Sequence, residues 1–332
     1  MSSLARVLAH SETIHTQTDT FLQKVAPELS TMLRYFMGFL EEDGSTGEGS
    51  GKRFRPAFML FIASVLGVEE KTIPAAISVE LFHNFSLIHD DVEDGDELRR
   101  GRPTVWKRWG INSAINAGDA QLILALQALE PLANPELTAF LLARYLEVIE
   151  GQQLDFALTE ASLSSPEVTE EAYLEMCRKK SAVLVAASTG APAFVAGLSE
   201  RECLMYVKFG EELGLAYQLF DDYQSLWGPE IRTGKKKLGD LYEQKKIYPV
   251  LYARDMLSLE ESNTLCELYA SEMSDMAVQA VLALIDKSGA ENALKEKIEK
   301  HLERSLATLT DTSLPQTAKD TLHEALKELT TY

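Results

Sequence analysis

The spacing of the apolar residues limits the fold of this chain more than any other feature, because it repeats every three to four positions along most of the sequence. That spacing places apolar side chains on one face of an α-helix. No run shows the sustained alternation of apolar and polar residues that is typical of a half-buried strand. We therefore predict an all-α protein, whose helices include residues 17–41, 73–98, 169–187 and 199–228.

The middle helices are so rich in Leu, Ala and Val that several should be buried on all sides. This favours a single helical bundle around a central apolar cavity. We expect one domain over residues 1–332. Residues 1–16 precede the first predicted helix, and we expect them to form a loose N-terminal segment.

The composition excludes several classes of protein. The net charge of −19 argues against a nucleic-acid partner. No stretch reaches the roughly 20 apolar residues of a membrane-spanning helix, and the N-terminus has no signal-peptide core. The three cysteines are far apart and lack metal-binding spacing, which indicates a reducing cytoplasm.

Residues 83–101 carry a cluster of acids followed by a pair of arginines. On a helix, Asp90 and Asp94 leave the same face one turn apart, where their charges repel unless a cation lies between them. Mg²⁺ commonly takes one or two carboxylates and completes its shell with substrate phosphate. Arg99 and Arg100 are forked donors suited to phosphate oxygens. The alternative is a solvated acidic face, and a second acidic cluster would decide between the two.

A second acidic cluster is present. Asp221 and Asp222 lie in the apolar segment 213–228, three and four residues after Gln218. A stretch rich in lysine follows at 233–246. Because acids followed by bases occur twice on apolar helices, we predict a site for a metal-bound diphosphate.

These segments resemble a known family, the trans-prenyltransferases or polyprenyl diphosphate synthases. The similarity runs from about residue 51 to residue 249. Two departures concern the second acidic motif, where Ser225 replaces the usual last Asp, and the position of Ser181, where the family usually has Thr. The motifs that carry the resemblance are GKRFRP (51–56), HDDVEDGDELRRGRPT (89–104), GD (118–119), GQQLD (151–155), KKS (179–181), YQLFDD (217–222) and TGK…GDL…K (233–245).

The resemblance implies three groups of site residues. Mg²⁺ would be held by the aspartates of both motifs, on two acidic helix faces that point at one another: Asp90, Asp91, Asp94, Asp221 and Asp222. An allylic diphosphate would be bound by Arg99, Lys180, Lys235 and Lys245. The second substrate, isopentenyl diphosphate, would be bound without metal by Lys52, Arg55, His83 and Arg100.

Further roles concern the reaction and its product. With Lys180, the dipoles of Ser181 and Gln218 would act in catalysis by steadying a carbocation. Phe85 and Ser86 lie four to five residues before Asp90, one helical turn deeper, where a bulky side chain would stop chain growth. By resemblance, a Phe at this place is typical of short products of C15 to C20. A homodimer is expected from the resemblance and from the common symmetry of oligomers.

Three other interpretations remain open from the sequence. An ionisation-type terpene cyclase shares acidic helices but does not need a second diphosphate site. A non-catalytic subunit of a hetero-oligomeric synthase would have lost acidic ligands. A purely structural helical protein would leave the ordered acids and bases unexplained.

Overall fold

The structure, a computed structural model, describes residues 1–47, 49, 51, 53–228 and 238–331. Helices dominate the described residues, as the apolar spacing predicted. In the first part of the chain they are α1 Ser3–Leu8, α2 Ser11–Leu22, α3 Pro27–Phe36, α4 Phe54–Val65, α5 Glu69–Glu93, α6 Val105–Trp109 and α7 Ile111–Gln127. A 3-10 helix, Glu130–Leu132, follows, and then α8 Pro135–Glu160 and α9 Glu170–Cys177.

A π-helix, Arg178–Ala182, directly follows α9. The remaining described helices are α10 Val183–Val195, α11 Glu200–Trp227, α12 Gly239–Tyr242, α13 Tyr248–Met256, α14 Leu259–Tyr269, α15 Asp275–Ser288, α16 Ala290–Leu309 and α17 Gln316–Leu329. Among the described residues, no helix is long and apolar enough to span a membrane.

The described chain forms two compact units. The first comprises Met1–Ala143, Ala187–Val207 and Leu309–Leu329. The second comprises Arg144–Ala186, the described residues of Lys208–Thr308, and residues 330–331. The organisation of residues 1–332 as one domain stays a prediction.

In the first unit, α5 packs against α4 and α7. Leu81, Phe82 and Ile88 of α5 are fully buried there. The helix ends where Gly95 adopts a positive φ of 69°, a conformation that glycine reaches without steric cost. This stop places the acidic end of α5 beside the segment that carries the arginine pair.

Three predicted helices differ from the observed ones. The predicted helix 17–41 is two helices, since Pro27 begins α3 and cannot donate a backbone hydrogen bond. The predicted helix 73–98 is α5, which ends at Glu93. The predicted helix 169–187 starts as expected, because the Thr169 side chain accepts from the N–H of Ala172, but it is interrupted by the π-helix.

A short β-hairpin, with two residues in each strand and two in its turn, was not predicted. Strands β1 (Leu98–Arg99) and β2 (Arg102–Pro103) pair antiparallel, with Arg99 opposite Arg102. Both loop residues have positive φ, 55° at Arg100 and 76° at Gly101, as in a type I′ turn. Its strands are too short to show an alternating pattern in the sequence.

Residues 1–16, expected as a loose segment, contain α1 and the start of α2. Helix α1 packs against α17, and the Ser3 hydroxyl donates to Glu324 at 2.5 Å. Val7 and Ile14 are fully buried.

Candidate active site

The first acidic motif lies at the C-terminal end of α5. Asp90 is half-buried and Asp94 exposed, while Asp91 between them is buried. Asp94 is the C-cap residue, and its N–H donates to the Asp90 carbonyl at 2.8 Å. The predicted one-turn spacing of Asp90 and Asp94 therefore persists although the helix ends earlier than expected.

Asp91 is held by the hairpin. The Arg99 Nε donates to its Oδ1 at 2.5 Å, while Oδ2 is buried and has no hydrogen-bond partner within the described ranges. Burial raises the pKa of Asp91 to about 6, although the Arg99 guanidinium opposes this shift. One carboxylate oxygen thus stays uncompensated beside Asp90.

His83 and Arg55 form a pair two helical turns from the acids. Arg55 Nη1 lies 2.9 Å from His83 Nε2. Burial, and then the charges of Arg55, Arg100 and Arg99, hold the pKa of His83 well below its usual 6.5. His83 is therefore neutral at pH 7, so its Nε2 can accept the hydrogen bond that orients the Arg55 guanidinium.

Arg100 joins the same group of cations. A Cβ built on Gly51 would lie 3.2 Å from the Arg100 Cζ, so the glycine lets the guanidinium approach the chain that precedes α4. Glu80 offsets this positive charge, since it interacts electrostatically with Arg53 and Arg100. We did not predict Glu80. The sequence does contain a signal for it, because Glu80 is an acidic residue within an apolar helical segment and lies one turn before His83.

Phe85 and Ser86 lie on α5 as predicted. Phe85 is 7% exposed, and its ring contacts those of Phe82 and His89 at centroid distances of 5.3 and 4.9 Å. The Ser86 hydroxyl donates to the His83 carbonyl at 2.8 Å. Gly118 of the GD motif lets α7 approach here, because a Cβ would lie 2.2 Å from His89 Nε2.

In the second unit, the aspartates of the second acidic motif have different surroundings. Asp221 is exposed, whereas Asp222 is 2% exposed. The Tyr173 hydroxyl donates to Asp222 Oδ2 at 2.5 Å, and the N–H of Tyr248 donates to the same oxygen at 3.2 Å. Burial raises the pKa of Asp222 well above its usual value. The Asp222 side chain thus links α11 to α9 and α13, and Asp221 remains the outward-facing carboxylate.

Lys180 and Ser181 lie on the π-helix. Lys180 Nζ pairs with Asp155 Oδ2 of α8, and the Ser181 hydroxyl donates to the Gln218 Oε1 of α11 at 2.8 Å. The structure therefore brings together all three predicted catalytic residues of this unit. Asp155 is the last residue of the GQQLD motif and had no predicted role, so its place in that motif was the available signal.

The structure describes only some of the remaining residues of the predicted site. Lys245 Nζ lies 2.8 Å from Glu243 Oε2. Ser225, the departure from the second motif, is half-buried, and its carbonyl accepts from the N–H of Leu238 at 3.1 Å. Lys52 and Lys235 lie outside the described residues.

The acidic residues fit a divalent metal by their chemistry. In the part of the chain that the structure describes, no three His, Cys, Asp or Glu side chains are arranged to hold a metal ion by themselves. Mg²⁺ suits such a site, because it keeps several waters and takes only one or two carboxylates with substrate phosphate. The buried, uncompensated Oδ2 of Asp91 is consistent with a nearby cation.

Comparison with known proteins gives consistent matches. Residues 45–285 match the sequence profile of the family described as Polyprenyl synthetase. The chain is 35% identical over 299 residues to a geranylgeranyl diphosphate synthase of Mycobacterium tuberculosis, covering 87% of this chain and 84% of that protein. It is 41% identical over 253 residues to a (2E,6E)-farnesyl diphosphate synthase of Mycobacterium bovis, covering 74% and 68%.

Solved structures match over nearly the whole length. A crystal structure of a geranylgeranyl pyrophosphate synthase has a TM-score of 0.87, 30% identity and 99% coverage of both chains. A polyprenyl synthetase from Streptomyces coelicolor also has a TM-score of 0.87 and 30% identity, covering 98% of this chain and 99% of that one. The predicted all-α fold of the isoprenoid synthase type is confirmed, and the chain belongs to the polyprenyl synthetase family.

Proposed function

We propose that this protein condenses isopentenyl diphosphate head-to-tail with an allylic diphosphate to give a short all-trans prenyl diphosphate. One observation carries the proposal: Arg99 joins the acidic end of α5 to the cation group of Arg55, His83 and Arg100 within a single unit. Two diphosphates need such an arrangement, one beside carboxylates and one beside cations alone. The matched relatives are named as synthases, so a terpene cyclase and a non-catalytic subunit are not favoured.

The proposed metal is Mg²⁺, held by Asp90, Asp94 and Asp221, with Asp91 and Asp222 next to these ligands. When bound, it would supply Lewis-acid neutralisation of the allylic diphosphate as this group departs. Arg99, Lys180, Lys235 and Lys245 are proposed to bind the same diphosphate.

Isopentenyl diphosphate is proposed to bind at Lys52, Arg55, His83 and Arg100. Because His83 is neutral, it orients Arg55 without adding a titratable charge. Guanidinium groups oriented in this way can bind phosphate oxygens with two parallel hydrogen bonds.

The carbocation left on the allylic substrate needs dipoles that are in place before it forms. Ser181 and Gln218 are hydrogen-bonded to each other and are proposed to supply these dipoles together with backbone carbonyls. The double bond of isopentenyl diphosphate then attacks the cation, and the released diphosphate takes the proton that is lost. No dedicated side-chain base is needed for this step.

Product length is proposed to be C20, and C15 as the second choice. Phe85 is buried one turn before the acidic motif and packs between Phe82 and His89. A ring at this depth would stop an elongating chain after a few isoprene units, and Ser86 beside it is too small to do so.

We infer a homodimer from exposed apolar side chains on two helices. Helix α7 exposes four of them within one arc, and helix α8 exposes three at helical spacing. Apolar stripes of this kind mark protein interfaces, and two-fold dimers are the commonest closed assemblies. The exposed residues are Ile111, Ile115, Ile123, Leu126, Leu142, Leu146 and Ile149.

We also infer a reducing cytoplasmic location, since Cys177, Cys203 and Cys266 are all free thiols.

The test is an assay of purified protein with radiolabelled isopentenyl diphosphate and each allylic starter, with and without EDTA. We expect metal-dependent incorporation into products extracted after dephosphorylation. Asp90→Asn should lower kcat by roughly 10³-fold, the loss expected from several kcal/mol of metal-assisted stabilisation. Glu97→Gln is the control, because this exposed acid pairs with Lys107. Absence of incorporation with every starter at saturating Mg²⁺ would refute the proposed activity.

A further inference from the structure

The π-helix of the second unit changes the direction of the side chains that it carries. It is closed by a bond from the N–H of Val183 to the carbonyl of Arg178, five residues earlier. One added residue per turn rotates the following side chains by about 100° relative to a continuous α-helix. π-helices are rare and usually occur as single turns at functional sites. Lys180 and Ser181 lie in this turn.

Two glycines allow neighbouring helices to approach this turn. A Cβ on Gly151 of α8 would lie 2.2 Å from the backbone N of Lys180. A Cβ on Gly214 of α11 would lie 2.5 Å from the Cα of Ala182. Any larger residue at either position would displace the π-helical backbone.

Each of these helices also provides a polar partner one turn after its glycine. Asp155 lies four residues after Gly151 and pairs with Lys180. Gln218 lies four residues after Gly214 and accepts from Ser181 at 2.8 Å. Residues four apart share a helix face, so each helix presents a glycine and a polar group to the π-helix together.

A carboxylate also lies about one turn before each glycine, Glu147 on α8 and Glu211 on α11. One guanidinium group approaches both carboxylates. Arg178, the first residue of the π-helix, donates from Nη1 to Glu147 Oε2 of α8 at 3.0 Å. The same Nη1 lies 3.7 Å from Glu211 Oε2 of α11. Its Nε and Nη2 donate to both oxygens of Glu175 on α9, at 2.7 and 2.8 Å. The arginine therefore links three helices to the start of the π-helix.

The two helices thus repeat one arrangement of carboxylate, glycine and polar partner along a single face. On α8 the positions are 147, 151 and 155, and on α11 they are 211, 214 and 218. We propose that Arg178 is a positioning residue: by clamping the first residue of the π-helix to both helices, it fixes where Lys180 and Ser181 lie. This inference rests on the proposed function, in which those two residues act on the allylic substrate.

The geometry gives Arg178 a role that a lysine cannot fill. Its planar fork donates to Glu175 and Glu147 at once, whereas an ammonium group is a point charge on a flexible stem. Without the fork, the π-helix can shift along the glycine surfaces or relax towards α-helical bonding. Lys180 would then move away from its position for the allylic diphosphate.

The test compares Arg178→Lys with Arg144→Met. Arg144 pairs with the same Glu147, at 2.5 Å, but lies outside the π-helix, so its variant is a matched control. In Arg178→Lys we expect the KM for the allylic diphosphate to rise and kcat to fall, each by about tenfold, because small misplacements of binding groups are costly. The KM for isopentenyl diphosphate should stay at the wild-type value. Arg144→Met should resemble the wild type in all three parameters.

A double-mutant cycle separates positioning from general damage. In a Lys180→Ala background, the Arg178→Lys change should alter the allylic KM by no more than about twofold, since the group through which it acts is gone. A full, additive effect in that background, or equal effects on both substrates, would overturn the proposal. An allylic KM that is unchanged in the single variant Arg178→Lys would also overturn the proposal.

Amide hydrogen exchange supplies a readout independent of turnover. Exchange at residues 179–183 should be faster in Arg178→Lys than in the wild type and unchanged in Arg144→Met. If wild-type protein shows no condensation, the proposed function fails, while this measurement still tests the clamp. If condensation occurs and exchange at these residues is unaltered, the clamp itself is wrong.

Discussion

His83 shows how neighbouring charges decide the state of one side chain. The usual pKa of a histidine is 6.5, and the position of His83 in the sequence, seven residues before Asp90, shows only that the two share a helix face. Its actual surroundings include three arginines, from the start of α4 and from the hairpin turn, and together with burial they lower its pKa. The neutral form is therefore a tertiary property, because none of those arginines is a helical neighbour of His83.

This lowered pKa predicts a pH dependence of stability. The unfolded chain takes up the proton near pH 6.5, whereas the folded protein takes it up only at lower pH. The contribution of His83 to stability is therefore complete above about pH 6.5 and is lost as the pH falls towards the folded pKa. We expect the fall in Tm between pH 7.5 and pH 5.5 to be smaller in His83→Gln than in the wild type. His323→Gln, at an exposed position of α17, should follow the wild type.

A larger fall in His83→Gln than in the wild type would contradict the sign of this shift. Thermal unfolding followed by circular dichroism at each pH gives the comparison.

Phe85 gives a second prediction for a single residue. Phe85→Ala should extend the product past C20, since the ring proposed to stop the chain is removed. Its loss should also cost about 3–5 kcal/mol of stability, through lost burial and the void that remains. Chromatography of dephosphorylated products measures the length. Phe82→Ala removes an adjacent, fully buried ring and should destabilise the protein without lengthening the product. Equal product distributions in both variants and the wild type would assign Phe85 to core packing alone.

Among the elements, the hairpin between α5 and α6 is one that apolar spacing could not indicate. Its two strands contain four residues, and it is held by contacts with other elements. Arg102 donates to the Leu40 carbonyl at 2.6 Å, and its guanidinium lies 4.3 Å from the centre of the Tyr35 ring. The pair Arg100–Gly101 occupies a turn in which both residues need positive φ. This turn presents Arg100 to the isopentenyl diphosphate site that we propose.

Gly101→Ala tests that role of the turn. Because an L side chain is strained at φ of 76°, we expect a loss of about 1 kcal/mol of stability and a higher KM for isopentenyl diphosphate. Gly67→Ala is the matched control, since Gly67 has φ of 73° and, like Gly101, open space around its Cβ position. The Gly67→Ala substitution should lower the stability by a similar amount and leave the KM for isopentenyl diphosphate unchanged. Steady-state kinetics with isopentenyl diphosphate as the varied substrate checks both. A KM raised equally in the two variants would remove the turn from the proposed site.

For the whole molecule, the exposed apolar side chains bear on assembly. Seven of the exposed large apolar residues lie on α7 and α8, and their helical spacing groups them into a stripe on each helix. Helical periodicity can indicate that these two segments are helices, but it does not indicate which of their faces stays uncovered. That distinction depends on which neighbours each helix meets in the fold.

Leu146→Arg tests the homodimer. A charge within a buried apolar interface is costly unless it is paired, so we expect a shift from dimer to monomer. Leu204→Arg is the control, because both leucines are 58% exposed but Leu204 belongs to another helix, α11, and to neither stripe. Light scattering coupled to size-exclusion chromatography gives the mass of each variant. A monomeric wild type, or a dimeric Leu146→Arg variant, would refute this interface.

The sequence by itself determined the helical class of the fold, most of its helices and the order of the acidic and basic motifs along them. Apolar periodicity and the one-turn spacing of Asp90 and Asp94 are local properties, so they could be read without the fold. Only the tertiary structure decided that Asp91 and Asp222 are buried and hydrogen-bonded, and that a π-helix carries Lys180. These features depend on residues far apart in the chain, such as Tyr173 for Asp222 and Gly151 for Lys180. The physical reason is that burial and charge balance are set by contacts that helical spacing does not encode.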